Sequence, residues 1–246
     1  MRSAGCVVND MLDSRFDAQV ERTKDRPLAS GELSKKQAAS SGLLMLSGAA
    51  ACLLPLNQPT QLLAVACVGP TAVYPLMKRF TWYPQLFLGL VFNWGAVMGC
   101  AAVTGSVSPA AWMMYAGCVS WTVAYDTIYA TPDRKYDAAL GLKSSALAFG
   151  EQGIKRAVPA LALGAAALWE LSAYSAFGSA GAACMLPSSA YLMYSTLRVD
   201  YDDPSSAARY FNRSGYVLGP LVMGSIIASK WIEQVGDAWP IALSFT

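Results

Sequence analysis

Three long runs without charged residues constrain the fold of this 246-residue chain more than any other feature. Residues 37–77 and 80–125 contain no Asp, Glu, Lys or Arg, and residues 157–197 contain only Glu170. A helix needs about 20 apolar residues to cross a bilayer, so each run is long enough for two crossings. The composition, 54% hydrophobic and 14% charged, agrees with a membrane protein. The sequence therefore predicts three helical hairpins within a membrane.

Turn-forming residues divide each of these runs near its middle. Residues 55–59 (Pro-Leu-Asn-Gln-Pro) and 105–109 (Gly-Ser-Val-Ser-Pro) carry strong turn signals, and residues 172–181 carry a softer one. A last apolar segment, residues 216–228, adds a further helix. We therefore expect an all-α fold, a polytopic bundle of transmembrane helices.

The charged segments between the hairpins should all lie on one side of the membrane. They comprise residues 9–36, 78–79, 126–156 and 198–213, and they hold nearly all the Lys and Arg of the chain. The positive-inside rule places such a side in the cytoplasm, or in the matrix of a mitochondrion.

Oxygen-bearing side chains with helical spacing lie near the start of the chain. Asn9, Asp13 and Asp17 are four residues apart, so a helix places them on one face. Stacked acceptors of this kind suit a hard cation such as Mg²⁺. The alternative is a solvated helix end whose acids pair with nearby Arg and Lys side chains.

A second group of carboxylates ends a later apolar run on the same side of the membrane. Asp133 and Asp137 are again four residues apart, and Asp126 would lie two helical turns below Asp133 if the helix continued through Pro132. Carboxylates near membrane depth are costly unless they are paired or bind a metal. Two such groups predict a cation site with ligands on both sides.

Basic residues accompany both acidic groups. Lys78 and Arg79 end one hairpin on the charged side, while Arg134 and Lys143 flank the second acidic group. Mg²⁺ together with Lys and Arg donors suits a diphosphate, although Lys78 and Arg79 also fit a role as topology determinants only. Asn93, deep in a charge-free helix, requires a hydrogen-bond partner and is either a ligand or part of a packing seam.

Composition excludes several other kinds of chemistry. The chain has no histidine, the commonest general base, and its six cysteines form no Cys-x-x-Cys pair that would indicate a zinc or disulfide framework. The net charge of +2, without a basic and aromatic cluster, gives no sign of a nucleic-acid partner. A lipidic cavity below a Mg²⁺ and diphosphate site suits an allylic prenyl diphosphate, whose cation would alkylate an electron-rich acceptor in the absence of water.

The motifs resemble those of a known family. Asn9-Asp10-x-x-Asp13-x-x-x-Asp17 is similar to the first aspartate motif of the UbiA superfamily of intramembrane aromatic prenyltransferases, and Asp133-x-x-x-Asp137 to its second. Further stretches are similar to the 4-hydroxybenzoate polyprenyltransferases of ubiquinone biosynthesis, namely residues 22–31, 74–81, 84–95, 125–130 and 141–144. The resemblance covers roughly residues 1 to 150.

The resemblance implies a Mg²⁺-dependent enzyme that transfers a polyprenyl group from polyprenyl diphosphate to the ring carbon ortho to the hydroxyl of 4-hydroxybenzoate. It implies nine helices in the family and about eight here, within one membrane-embedded domain over residues 1–246 that lacks the family's first helix. The implied location is the mitochondrial inner membrane with the site on the matrix side, or the bacterial inner membrane with the site on the cytoplasmic side. Other ubiquinone-biosynthesis proteins are possible partners.

The resemblance and the spacing together assign roles to individual residues. The expected metal ligands are Asn9, Asp13, Asp17, Asp133 and Asp137; the expected catalytic residues are Asp13, Asp137, Lys78 and Arg79; the expected substrate-binding residues are Asp10, Asp126, Arg134, Lys143 and Asn93. Two alternatives stay open: the same fold acting on homogentisate, a naphthoate or haem, and a non-catalytic truncated form that binds a partner or lipid.

Overall fold

The computed structural model describes residues 2–19 and 23–243, with side chains for residues 3–19 and 23–235. These residues form helices, turns and no strand. The α-helices are α1 Arg2–Asp17, α2 Lys35–Leu53, α3 Gln58–Val73, α4 Met77–Phe80, α5 Pro84–Phe92, α6 Gly95–Thr104, α7 Pro109–Tyr129, α8 Arg134–Ala139, α9 Ser145–Leu197, α10 Pro204–Arg213 and α11 Gly219–Leu243. A short 3₁₀ helix, Tyr74–Leu76, joins α3 to α4, and a π-helical turn, Ser214–Leu218, joins α10 to α11. The expected all-α architecture is confirmed.

Within the described residues, four helical segments are long and apolar enough to cross a bilayer: Gln58–Phe80, Pro84–Thr104, Ser145–Leu197 and Pro204–Val235. Large apolar side chains on the bundle surface remain accessible, as Leu44 is 75% and Val103 is 87% exposed. A soluble monomer rarely exposes so much contiguous apolar surface, whereas lipid tails cover it without cost. The protein is a multi-pass integral membrane protein.

The first two predicted turns are confirmed and lie at the same end of the bundle. Asn57 caps α3 by accepting a hydrogen bond from Thr60 N, and its own Nδ2 donates to Ala101 O at 2.8 Å, at the end of α6. The following turn contains Gly105 with φ of 76°, a left-handed conformation that favours glycine, and Ser108 then caps α7.

The third predicted turn is confirmed at Gly178. The 53-residue helix α9 is too long for one crossing, and Gly178 interrupts it with φ of 64° and ψ of −154°. The two halves of α9 run back along each other, since Ser189 Oγ donates to Glu170 Oε1 at 2.7 Å. Ser172 Oγ donates to Ala110 O at 2.8 Å, which brings this turn to the start of α7. All three uncharged turns therefore lie at one end, as the hairpin pattern predicts.

Helix α7 lies at the centre of the bundle and packs against α5 and α9. Gly117 of α7 allows this close approach, because a Cβ at this position would lie 2.6 Å from a ring atom of Trp169. Trp169 is fully buried and meets Trp121 edge to face with ring centroids 5.5 Å apart. This packing fixes α7 in position, so that its C-terminal end reaches the charged side of the bundle at a defined depth.

Candidate active site

The first acidic group lies on a single continuous helix. Asn9, Asp13 and Asp17 of α1 all line one cavity, and Asp13 is buried with 4% of its surface exposed. Thr23 Oγ1 donates to the carbonyl of Asp17 at 3.0 Å and satisfies an acceptor at the helix C-terminus. We call these three residues the first acidic arm. The four-residue spacing predicted their common face, and the structure brings them together.

The second acidic group reaches the same cavity across a break in the helix. Helix α7 ends at Tyr129, Pro132 lies in a turn, and α8 begins at Arg134. Asp126, Asp133 and Asp137 nevertheless all line the cavity, and we call them the second acidic arm. The helix does not continue through Pro132, so the turn, and not a two-turn helical offset, places Asp133 relative to Asp126.

Cations lie between and beside the two arms. Lys78 Nζ is 3.1 Å from Asp13 Oδ2, and Arg79 Nη2 is 3.6 Å from Asp13 Oδ1. The backbone N–H of Lys143 donates to the carbonyl of Lys78 at 2.9 Å, which joins the two lysine-bearing turns. The Lys143 ammonium lies 5.6 Å from the centroid of the Trp82 ring. Such groups are positioned to bind the oxygens of an anion.

The cavity has a volume of about 320 Å³ and opens on the charged side of the bundle. Its walls combine carboxylates, cations, uncharged polar groups and aromatic rings: Asn9, Asp13, Phe16, Asp17, Thr23, Arg26, Tyr74, Lys78, Pro84, Gln85, Asp126, Tyr129, Ala130, Asp133, Tyr136, Asp137, Leu140, Leu142, Lys143 and Ser144. Its five carboxylates outnumber its three cationic side chains, so an anionic ligand would bind there together with a cation.

Residues 1–218 match the UbiA prenyltransferase family. The chain belongs to this family. It is 41% identical over 248 residues to the mitochondrial 4-hydroxybenzoate polyprenyltransferase of Schizosaccharomyces pombe, and 48% identical over 154 residues to the 4-hydroxybenzoate octaprenyltransferase of Neisseria meningitidis serogroup B. The alignments cover 95% and 63% of this chain, and 66% and 52% of those relatives. The chain thus spans between about half and just under two thirds of the length of these relatives.

Solved structures agree with the UbiA fold. The apo structure of a UbiA homolog from Aeropyrum pernix K1 superposes with a TM-score of 0.66 at 24% identity, covering 93% of this chain and 85% of that one. A digeranylgeranylglyceryl phosphate synthase structure superposes with a TM-score of 0.67 at 17% identity, covering 92% and 80%. At these identities the likeness concerns the fold alone.

Four of the expected site residues of this UbiA chain do not line the cavity. Asp10 pairs with Arg26 at 3.1 Å, and Arg134 pairs with Glu151 at 3.0 Å on the outside of α8. Arg79 reaches Asp13 and lies over the Phe16 ring without lining the cavity itself. Asn93, the fourth of these residues, lies at the break between α5 and α6.

Asn93 joins helices and does not face the cavity. It occupies the break between α5 and α6, and its Nδ2 donates to Thr122 Oγ1 at 2.7 Å and to the carbonyls of Gly89 and Cys118. The requirement for a buried partner, argued from sequence, is met by α7 and not by a substrate. The expectation of substrate binding at Asn93 is therefore at odds with its position.

Several cavity residues were not singled out by sequence reasoning. Arg26 lies in the stretch 22–31, and its Nη1 lies 3.1 Å from Asp10 Oδ1 and 3.0 Å from Asp17 Oδ2, bridging two acids of α1. Arg22, in the same stretch, lies outside the described residues. Gln85, Tyr74 and Tyr129 also line the walls. Their motifs were recognised, but polar and aromatic residues within apolar segments carry no spacing signal of their own.

The oxygen-rich donor set fits a Mg²⁺ ion that shares its coordination with a substrate. Among the described residues, no three acidic or cysteine side chains come close enough to hold a metal alone. Mg²⁺ usually binds through one or two carboxylates plus phosphate oxygens and water, so a dedicated cluster of three is not required. The two acidic arms supply such carboxylates on the walls of one cavity.

Proposed function

We propose that this protein is a Mg²⁺-dependent 4-hydroxybenzoate polyprenyltransferase of ubiquinone biosynthesis. One observation carries the proposal: two acidic arms and two lysines line a single cavity at the C-terminal end of α7, on the charged side of the bundle. The names of the relatives at 38–48% identity support the acceptor and the polyprenyl donor. This chain spans only part of the length of those relatives, so its own activity and substrates belong to this proposal.

The expected metal ligands are Asn9, Asp13, Asp17, Asp133 and Asp137. When bound there with the substrate, Mg²⁺ would neutralise charge on the diphosphate leaving group. Asp13 is the best placed of these ligands, since it is buried and held by Lys78 at 3.1 Å.

The side chains of the cavity assist the reaction at defined atoms. The C–O bond between the prenyl chain and the diphosphate breaks, and the ammonium group of Lys78 donates to the departing oxygens. The rings of Phe16 and Tyr129 line the cavity, where an aromatic face favours an adjacent cation and apolar surface excludes water.

Formation of the C–C bond completes the transfer. The allylic carbon bonds to the ring carbon ortho to the hydroxyl of 4-hydroxybenzoate, and that carbon then loses its proton. Asp126, half-buried in the cavity wall, is a suitable acceptor for the proton, and the released diphosphate is another. No histidine is needed for this step.

The proposed location is the inner mitochondrial membrane with the cavity facing the matrix, or the inner membrane of a bacterium with the cavity facing the cytoplasm. The described turns support a bundle whose basic residues lie at one end. A single prenyltransferase domain over residues 1–246 remains part of the proposal.

A product assay tests the function. Protein in nanodiscs is incubated with polyprenyl diphosphate, labelled 4-hydroxybenzoate and Mg²⁺, and the product is identified by mass spectrometry. The D13A/D137A double variant is expected to form no product, whereas Glu32→Gln, an exposed acid outside the cavity, is expected to retain wild-type activity. Undiminished conversion by the double variant would reject the proposal.

A further inference from the structure

Gln85 is a buried cavity residue with hydrogen-bonding capacity that the protein does not use. It lies in the first turn of α5, lines the cavity and is 5% exposed. Its Oε1 accepts a hydrogen bond from the backbone N–H of Ser145 at 2.9 Å. An N–H can donate only to the oxygen of the amide, so this bond distinguishes Oε1 from Nε2 of the side chain.

The amide NH₂ of Gln85 is therefore left to face a ligand. Among residues 2–19 and 23–243, the Gln85 side chain makes its hydrogen bond to Ser145 N alone, and Nε2 is not one of the buried side-chain atoms that lack a partner. The NH₂ is therefore accessible from the cavity that Gln85 lines. Two N–H donors at the wall of a substrate cavity are explained by an acceptor atom on the substrate.

Three helices hold this amide rigidly in place. Ser145 begins α9, its Oγ is 2.6 Å from Thr127 Oγ1 of α7, and Ser144 caps the same helix by accepting from Leu147 N. Gln85 thus joins α5 to the start of α9, which also contacts α7 through Thr127. Preorganised donors lose little entropy when a ligand binds, which is the requirement for a specificity contact.

The surroundings of Gln85 match an aromatic carboxylic acid. The cavity residues nearest to it and to Ser145 in sequence are Pro84, Leu142, Lys143 and Ser144, none of which is acidic. The carboxylates of the cavity come instead from α1, α7, the turn after α7 and α8. A flat apolar ring carrying a negative carboxylate is complementary to this part of the wall, whereas a metal-bound diphosphate is complementary to the acidic arms.

We propose that the Gln85 amide NH₂ donates to the carboxylate of the aromatic acceptor and, with Lys143, selects acceptors that carry this carboxylate. This inference rests on the proposed function and names the acceptor subsite within it. A diphosphate oxygen would use the same donors, so the experiment measures the two substrates separately.

Two substitutions separate the ligand contact from the structural one. Gln85→Glu keeps an oxygen for the Ser145 N–H and replaces the NH₂ by a second oxygen. Gln85→Met keeps the approximate volume and removes both polar groups. Gln152→Glu is the matched control, because it makes the same chemical change at an exposed position outside the cavity.

The measurement is equilibrium binding of labelled 4-hydroxybenzoate to the 246-residue chain in nanodiscs with Mg²⁺ and inorganic diphosphate. Loss of a hydrogen bond to a charged group should weaken benzoate binding about 10- to 100-fold in both Gln85 variants. Binding of 4-hydroxybenzyl alcohol, which lacks the carboxylate, and of polyprenyl diphosphate should each change less than about threefold, and Gln152→Glu should bind benzoate like the wild type. Thermal unfolding of each variant verifies that it is folded.

Benzoate affinity that stays at the wild-type value in Gln85→Glu and Gln85→Met overturns the inference, as does a loss confined to polyprenyl diphosphate. A wild-type protein that binds no aromatic acid also overturns it. Failure of the proposed function has a different signature: benzoate binding that depends on Gln85, with no prenylated product formed.

Discussion

The two acidic arms bring similar side chains to one cavity by different structural means. Asn9, Asp13 and Asp17 share a face of the continuous helix α1, while the second arm is spread over the end of α7, a turn containing Pro132, and α8. Spacing alone is sufficient to place ligands on a helix, because the helical period is fixed. Across a turn, placement depends on backbone conformations and hydrogen bonds that spacing does not specify.

The arms also differ in the contacts that tie them to neighbouring segments. Asp13 is held by Lys78 and Arg79, and Asp17 by Arg26, so the first arm is tied to the α4 segment and to the loop after α1. In the second arm, the turn after α8 is fixed by the backbone, where Leu142 N donates to the carbonyl of Asp137 at 2.8 Å. Ion pairs thus orient the first arm, and a backbone hydrogen bond supports the turn that follows the second.

The largest expected effect tests whether both arms act on one ligand. Asp13→Asn and Asp137→Asn should each lower kcat by about 100-fold or more, since each would remove a carboxylate proposed to hold Mg²⁺ beside the diphosphate leaving group. If the arms hold the same Mg²⁺ and diphosphate, the double variant should lose little more than either single variant. Multiplicative losses in steady-state kinetics would show that the arms act independently.

Next in size is the loss of the cation beside the first arm. Lys78→Met leaves the buried Asp13 carboxylate with Arg79 at 3.6 Å as its remaining partner. Because Lys78 is 39% exposed, solvent screens part of the effect, and we expect a loss of about 1–2 kcal/mol in stability, below the 3–5 typical of a fully buried pair.

Lys143→Met is the matched comparison for Lys78→Met. Lys143 Nζ donates to the carbonyl of Phe80 at 3.3 Å, so its removal should cost less than about 1 kcal/mol. Thermal unfolding in detergent measures both variants. Equal destabilisation by the two substitutions would contradict the proposed difference between the arms.

The bridge made by Arg26 gives a smaller effect that belongs to the first arm. Arg26→Gln removes the pairs to Asp10 and Asp17 and should lower kcat by about 10-fold, because Asp17 loses a charge-assisted contact that orients it. Arg209→Gln removes a similar pair, to Asp203 at 3.2 Å, away from the cavity and should leave kcat unchanged. A parallel fall in both variants would indicate a general effect of surface charge.

A final expected effect, on stability alone, concerns the turn that supports the second arm. Gly141 has φ of 67°, so Gly141→Ala should destabilise the protein by about 1–2 kcal/mol through left-handed strain, lowering the unfolding temperature by a few degrees. Gly48→Ala is the control: Gly48 lies in α2 with no atom within 4 Å of a new Cβ, and this variant should gain about 0.5–1 kcal/mol. Both changes are read from thermal unfolding.

Sequence reasoning predicted the hairpins, their turns and the first arm because each depends on a local rule. Charge-free length indicated the crossings, and Asn57, Gly105 and the region around Gly178 provided the breaks. The motifs identified the second arm, but its geometry required the turn at Pro132.

Roles that depend on long-range packing were not predictable in the same way. The need of Asn93 for a partner left open a ligand or a packing seam; Asn93 was listed with the substrate-binding residues, and its partner in the structure is Thr122 of α7. Gln85 was not assigned; it is buried at the cavity, and its NH₂ is the group proposed to bind substrate. Both are amides in apolar segments, and the neighbouring helix alone distinguishes a structural amide from a ligand-binding one.

The hydrogen bonds at the uncharged end determine where the bundle can move. Asn57 Nδ2 joins the first turn to the end of α6, and Ser172 Oγ joins the third turn to the start of α7, so the ends of separate hairpins are held to one another. We therefore expect the motions of the bundle to be larger at the opposite end, above all in the loop that carries Arg26. Amide hydrogen exchange should accordingly be graded along the long axis of the bundle, slowest near the uncharged turns and fastest at the mouth of the cavity.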